Sequence, residues 1–485
     1  MAITIVRNFT SNKFYPSANP INCTVSSNNS GKCNFRFICD IYIGGAKVYT
    51  DKLFPDPTTG YGFFQISRVL QDYIQTSIPK TQYGQVLNTG ASLTAPSANL
   101  TVYCRFGEEY DSSTNCDGQI LQYTNLAQSN TFYVFESAID YEDFPTFSDS
   151  DYIVATASST KKFLTNSPRE VDVTYNDSYY LDFLSLQLIT TTYLVRVKIF
   201  YKNATNTTKT YSRNLSGSQS ERYRIACGPL DINLRDSDVT IGGNVTKYEV
   251  TLLWSSNVLT ETFTFNVKGP GAYRTRIGFV GLKGGLEHFT FFHRNRAQYN
   301  IDKRNYEKYL QSNYNSNWTY EVGDRGTTTY KVNARETHAV ATYCSRENAK
   351  WLYEMWLSPI VWTYRGPDVF TFRPFINGTY VDLWVDGEHD ISTGSTIFAI
   401  SETSDFNDKF TVASVNGNIV RCNLLTSIYG VNVSNACGVV HVAKSWQILP
   451  ITISDNVAEV KQKTSRPVEY SLNYQMAYSK MTLRG

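Results

Sequence analysis

Few side chains in this chain are placed to do chemistry, and their spacing argues against a shared active site. The five histidines, His288, His293, His338, His389 and His441, are the natural metal ligands and proton carriers. His288 and His293 lie an odd number of positions apart, so in one regular strand they point to opposite faces and cannot share a ligand. The carboxylates best placed for acid–base work are Glu287, beside a double glycine, and Asp382, Asp386, Glu388 and Asp390 in VDLWVDGEHD. Glycoside hydrolysis uses two carboxylates at a set separation. Asp386-Gly387, however, is a standard hairpin turn pair, which makes its neighbouring acids solvated turn residues. No H-E-x-x-H, G-x-S-x-G, Walker A or G-x-G-x-x-G stands in the sequence. The nine cysteines are odd in number and irregularly spaced, with no C-x-x-C, and Cys33-x5-Cys39 is not a zinc spacing. They read as mostly reduced, buried thiols of a protein made in a reducing cytoplasm. The expectation is a chain without catalytic residues, cofactor or metal.

The elements that would position a site are strands. Of 485 residues, 41% are hydrophobic and 14% aromatic, with 35 Tyr and 27 Phe against 4 Met. Tyr, Phe and Thr suit half-buried pleated surfaces, and the abundant Asn and Ser suit turns. A net charge of +2 gives no electrostatic footprint for nucleic acid. No apolar run is long enough to span a membrane, and MAITIVRNFT carries neither a charged n-region nor an h-region. The N-x-S/T sequons follow from an Asn-, Ser- and Thr-rich composition and are not read as glycosylation sites.

Length and punctuation divide the chain into 1–136, an N-terminal β domain with one helix; 137–151, an acidic linker; 152–270, a middle β-sandwich; and 271–485, a C-terminal β domain with one helix. In the first, Asn22–Ser27, 35–42 and Ala46–Leu53 have strand composition, and Gly44-Gly45 joins the last two as a hairpin. Ile66, Val69, Leu70, Tyr73 and Ile74 fall on one helical face, predicting a helix over 65–77. The linker SAIDYEDFPTFSDSD lacks the spacing of a calcium loop and reads as a solvated connector. Strands are expected at 179–188, 191–201, 209–214, 248–254 and 327–332, and KGPG at 268–271 marks a boundary. A second helix is predicted over 345–357, N-capped by Ser345, with Glu347 in its first turn and a stripe of Ala349, Leu352, Tyr353 and Trp356. Near the C-terminus Val468, Tyr470, Leu472 and Tyr474 share one strand face.

The centre of the chain is IGFVGLKGGLEHFTFFHRNRAQYNIDKRNYEKYL over 277–310. It joins a buried-strand run, a Gly284-Gly285 turn, an aromatic run and a basic, tyrosine-spaced tail. This segment resembles structural tail proteins of Bacteroidetes phages, including crAss-like phages. So do YPSANPINCTVSSNNSGKCNFRFICDIYIGG followed by GYGFFQISRVLQDYI, the Asp-Phe-Pro turn followed by Lys162–Thr165, the helix end WLYEMWLSP, and the closing ILPITISDNVAEVKQKTSRPVEYSLNYQMAYSK. The lead-in Gly281-Leu282-Lys283 departs from that family's usual N-x-x.

The resemblance implies an all-β fold of two or three sandwich domains, Ig-like or jelly-roll-like, with two short capping helices. It implies a virion structural protein, a ring, collar or hub of the tail, assembled in the bacterial cytoplasm by protein–protein contacts. Its partners would be other tail proteins and further copies of itself, as a closed ring of about six or about twelve. Tyr and Arg are the types that interfaces concentrate, and the expected contact residues are Phe289, Phe291, Arg294, Arg296, Tyr299, Arg304 and Tyr306. The alternative is a tail receptor-binding module that recognises host-surface glycan.

Overall fold

The computed structural model describes residues 3–74, 92–93, 99–111, 116, 121–154, 160–174, 177–186, 192–202, 204–215, 221–229, 231–232, 234, 245–268, 275–307, 327–365, 369–377, 380–385, 391–401, 407–423, 438–442, 447–454, 460–461 and 468–477. The protein is all-β: among the described residues 61% lie in strands and 7% are helical. Two compact units share the chain. One comprises Met1–Gly269, Val280–Glu287 and Phe370–Val440; the other comprises Pro270–Phe279, His288–Val369 and His441–Gly485.

The first unit opens with a sandwich. Ile3–Arg7, Asn22–Ser27 and Gly62–Gln65 form one sheet; Phe14–Pro16, Phe132–Phe135, Asn99–Asp111, Arg36–Ile43 and Ala46–Leu53 form the other in that order. Val25 and Phe64 from one sheet and Phe37, Cys39, Cys104 and Phe106 from the other share a core. The predicted hairpin is present: Ile43 pairs with Ala46 across Gly44 and Gly45, whose φ of 58° and 88° suit the two-residue turn. The helix expected over 65–77 is a correction. Only Ser67–Gln71 is helical, because Gln65 pairs with Asn22 in the ladder and the ladder outweighs local propensity; residues 75–77 lie outside the described residues.

A second sandwich follows. Glu170–Thr174, Phe263–Lys268, Val245–Trp254, Thr192–Tyr201, Asn206–Leu215 and Ser92–Leu93 pair in that order. Tyr180–Ser185 pairs with Glu221–Ala226, and Phe183, Tyr223 and Ile225 of this pair share a core with Val195, Val197, Tyr248 and Phe265 of the larger sheet. On the other face of this short pair sits a buried ionic cluster. Asp182 accepts from Arg224 Nε at 2.9 Å and Nη2 at 3.0 Å, and from Arg222 Nε at 3.1 Å and Nη2. Arg222 Nη2 also donates to the Gly284 carbonyl. Burial alone would raise the Asp182 pKa, but Arg224 and Arg222 outweigh it and hold the carboxyl below its usual value.

Gly284 belongs to the double-glycine turn. Its φ is +81°, its N–H donates to the Gly281 carbonyl at 2.7 Å, and Gly281 donates to Gly285 at 2.9 Å. The turn is packed tightly. A Cβ on Gly284 would overlap the Glu136 carbonyl and one on Gly285 the Leu164 carbonyl, while Leu282 O accepts from Ala138 N at 2.7 Å and Ser137 Oγ at 2.8 Å. The acidic segment is thereby fastened, where the sequence suggested a solvated connector. Asn19 and Ile139 exchange two hydrogen bonds of 2.7 Å, and Asp149 accepts from Phe14 N at 2.9 Å.

The second unit is one large sheet: Leu286–Phe291, Thr275–Val280, Val361–Arg365, Gln447–Ile453, Val468–Met476, Thr327–Cys344 and Arg294–Glu307, in that order. Tyr470, Leu472 and Tyr474 are buried while Glu469, Ser471 and Asn473 are exposed, as alternation required. Ser345 caps its helix by accepting from Asn348 N at 3.1 Å. The helix breaks at Tyr353 into Arg346–Leu352 and Glu354–Leu357, which buries Trp351 and Met355 and exposes Tyr353. Separately, Val369–Asn377, Tyr380–Val385, Ile419–Asn423, Asn407–Asn416, Thr396–Ser401 and Gly438–Val442 close a barrel in that order. No helix among the described residues is long and apolar enough to cross a membrane. The expected turn at Asp386-Gly387 and boundary at 268–271 fall on residues outside the described ones, except Lys268 at a strand end.

Two outcomes test this architecture by thermal unfolding. Gly284→Ala places a Cβ against backbone at positive φ and should lower stability by about 3 kcal/mol or more, whereas Gly44→Ala, open to solvent, should cost only about 1 kcal/mol. Asp182→Asn leaves two buried cations unpaired and should cost about 3–5 kcal/mol at pH 7. In the unsubstituted protein, the contribution of a carboxyl depressed on folding is fully present above its unfolded pKa near 3.8. It is lost as pH falls through the folded value. The gap between the two proteins should therefore close in acid.

Candidate assembly surface

The basic tail of the central segment forms the outermost strand of the second unit's sheet. Arg294–Glu307 pairs with Thr327–Cys344 from Arg294↔Ala341 to Glu307↔Thr327. The next strand, Val468–Met476, accompanies Thr327–Cys344 only as far as Thr337↔Gln475. Beyond that point the pair continues as a two-stranded ribbon. From Tyr299 to Glu307 it runs roughly 27 Å at the strand rise per residue.

Pleating gives the ribbon two unlike faces. Val340, its partner Leu472 and Tyr474 two residues further along face the core, so residues of the same parity continue the core face outward. His338 stacks on Tyr474 at 4.9 Å and 7° and lies 3.1 Å from Glu336, which accepts from Tyr299 OH at 3.4 Å. Past this relay the face carries Ile301, paired with Ala334, and Val332, paired with Lys303. Ile301 is 57% exposed and Tyr299 53%, so the apolar stripe outruns the core that would cover it. A bulge between Arg304 and Asn305 leaves Tyr330 outside the ladder, its ring 6.1 Å from that of Tyr306. The opposite face presents Arg296, Arg304, Lys331 and Arg335. None of these four has an ion-pair partner among the described residues. The outer edge of Arg294–Glu307 also has no ladder partner among them.

Of the residues expected to make contacts, Tyr299, Arg304 and Tyr306 lie exposed on this ribbon, and Arg296 lies exposed on the same strand just before it. Arg294 lies in its first ladder pair, and its side chain is outside the described residues. Phe291, 1% exposed, is a core residue packed against Tyr470; half-buried Phe289 leans on Phe291 and Trp351. Pleating separates these roles: the phenylalanines precede the point where the sheet loses its helical cover.

The residues with acid–base potential are dispersed. His288 Nε2 pairs with Tyr364 OH at 2.8 Å inside the sheet, and His293 packs on Tyr343. Glu287 is buried. Asp382 is held by Arg421 at 2.7 and 2.8 Å. Asp386, Glu388, His389 and Asp390 lie outside the described residues, and the strand position of His441 is described without its side chain. Among the described residues no group of three or more His, Cys, Asp or Glu is arranged to hold a metal. Cys33 and Cys116 form a disulfide across 83 residues, an exception to thiols that are otherwise mostly reduced; nothing in their spacing signals it. Cys23, Cys39, Cys104, Cys227, Cys344 and Cys422 are free and buried, and burial pushes Cys422 up to about 12.

Ile301→Ser and Tyr299→Ser remove side chains that are more than half exposed and should shift the thermal stability of the isolated protein by no more than about 0.5 kcal/mol. Phe291→Ala, in the same segment, should cost about 3–5 kcal/mol. Equal losses at the three positions would show that the ribbon face is covered. Comparison with protein-family models and with curated proteins found no match for this chain.

Proposed function

We propose that this chain is a structural component of a bacteriophage virion, a ring, collar or hub of the tail, which acts by assembling with its neighbours and performs no catalysis. It would be made in the bacterial cytoplasm and end in the particle. The observation that supports this reading is the ribbon of Arg294–Glu307 and Thr327–Cys344, whose outer edge and basic residues have no partner among the described residues and whose other face carries an apolar stripe. A lone two-stranded ribbon is at best marginally stable in water, and an exposed strand edge is a template for pairing. A neighbouring sheet supplies what both lack: backbone partners along the edge and cover for Tyr299 and Ile301. Other tail proteins and further copies of the chain are the partners proposed, and repetition of one heterologous contact closes a ring.

Mass photometry of the purified protein tests it. A closed multimer of about six or about twelve copies is expected, and Tyr299→Lys combined with Ile301→Lys should dissociate it while leaving the fold intact. A stable trimer unaffected by that pair of substitutions would overturn the reading in favour of a receptor-binding module.

A further inference from the structure

The ribbon has a second face, which contacts at its edge and along its apolar stripe leave open. Alternate side chains of both strands build it. Gln298, Asn300, Asp302 and Arg304 stand on one strand, and Lys331, Asn333, Arg335 and Thr337 on the other. All are exposed except half-buried Thr337. Two hydrogen bonds run across this face: Gln298 Nε2 donates to Asn300 Oδ1 at 3.2 Å, and Asn300 Nδ2 donates to Thr337 Oγ1 at 3.1 Å. Arg296, opposite Ala339, extends the row toward the body of the sheet.

Three properties of this face point to one kind of partner. First, it concentrates positive charge. The chain as a whole has a net charge of +2, yet this one face sets Arg296, Arg304, Lys331 and Arg335 against a single acid, Asp302. None of the five makes an ion pair among the described residues. Arg304 stands directly opposite Lys331, a like-charge pair that costs stability and that an anion between them would relieve. Second, the charges are regularly spaced. Lys331, Arg335 and Ala339, the partner of Arg296, are four positions apart, so cations recur roughly every 13 Å along roughly 27 Å of strand. Third, the other side chains between them, Gln298, Asn300, Asn333 and Thr337, are neutral hydrogen-bonding groups. Protein interfaces are anchored by buried aromatic and apolar residues, and this part of the face offers none. A polyanion needs no such anchor.

We infer that the basic face of the ribbon is a contact surface for duplex DNA, held by its phosphates along the major groove and without strict sequence preference. The major groove is about 12 Å wide and admits a two-stranded ribbon, whose strands lie about 4.8 Å apart. The deep, narrow major groove of an RNA duplex does not. Arg296, Arg304, Lys331 and Arg335 neutralise phosphates, and Gln298, Asn300, Asn333 and Thr337 donate to phosphate oxygens and base edges. Each phosphate neutralised releases a condensed counterion, which drives the association. The apolar stripe stays turned toward protein, so one ribbon holds a neighbour on one face and DNA on the other. This goes beyond the assembly reading and does not depend on it.

Fluorescence anisotropy of a labelled mixed-sequence DNA duplex several helical turns long, titrated with the full-length protein, reads this directly. Affinity should fall as salt is added, with a slope of log K against log salt of about −3.5 for four neutralised phosphates. Lys331→Gln combined with Arg335→Gln should weaken binding in low salt by about tenfold or more and bring the slope to about −2. Both side chains are exposed, so this variant should keep the parent's circular dichroism and melting temperature, which separates lost binding from lost fold. No anisotropy change in low salt, an affinity unaltered in the double variant, or displacement of the duplex by poly-glutamate of matched charge would overturn the inference. Multimer mass measured on the same samples stays as in the parent, so failure here is distinct from failure of the assembly reading.

Discussion

A buried carboxylate with two arginines is the constraint on which the first unit depends. Asp182 lies in the shorter sheet of the second sandwich, and two guanidiniums converge on it from Arg222 and Arg224. Taking three charges out of water is expensive, and acceptors beyond the carboxylate offset part of that cost. Arg222 finds one in the carbonyl of Gly284, sixty-two residues further along the chain. Position 284 is held to glycine by its positive φ and by the Glu136 carbonyl, which a Cβ would overlap. The same turn ties down the acidic segment through Leu282. One ion cluster therefore ties together the middle sandwich, the double-glycine hairpin and the connector.

The second unit poses the opposite problem. Its sheet is well covered where Trp351, Leu352 and Met355 lie on it, and bare where the ribbon continues past Thr337. Nothing in the pleat changes at that point; only the cover ends. His338 and Glu336 occupy the transition, polar groups within a stripe that is apolar on both sides of them.

This also explains what was legible in the sequence. Alternation identified Tyr470, Leu472 and Tyr474 as one face, and Gly44-Gly45 as a turn, because both signals are local. The helix over 65–77 was overread because its apolar spacing suits a single turn as well as three, and pairing of Gln65 with Asn22 is a long-range fact. Tyr353 entered the helical stripe because the break beside it leaves no mark in composition. Ribbon and core strands were indistinguishable: Tyr299 and Ile301 alternate with polar residues just as Tyr470 and Leu472 do. Periodicity tells which residues share a face, not whether anything lies against it. Asp382 stood out as an acid, but its pairing with Arg421 on the neighbouring strand depends on register.

The hairpin contact has a consequence for how the chain is made. The first unit includes Val280–Glu287 and Phe370–Val440, so it is not complete when the ribosome has passed residue 269. Until Gly284 emerges, Arg222 has lost one acceptor and the carbonyls of Glu136 and Leu164 face an open groove. Synthesis from the N-terminus thus yields sandwiches that wait, partly finished, for a loop encoded later. Contacts of such long sequence separation slow folding and keep the early segments dependent on the late ones. The molecule is built to mature as a whole rather than in instalments.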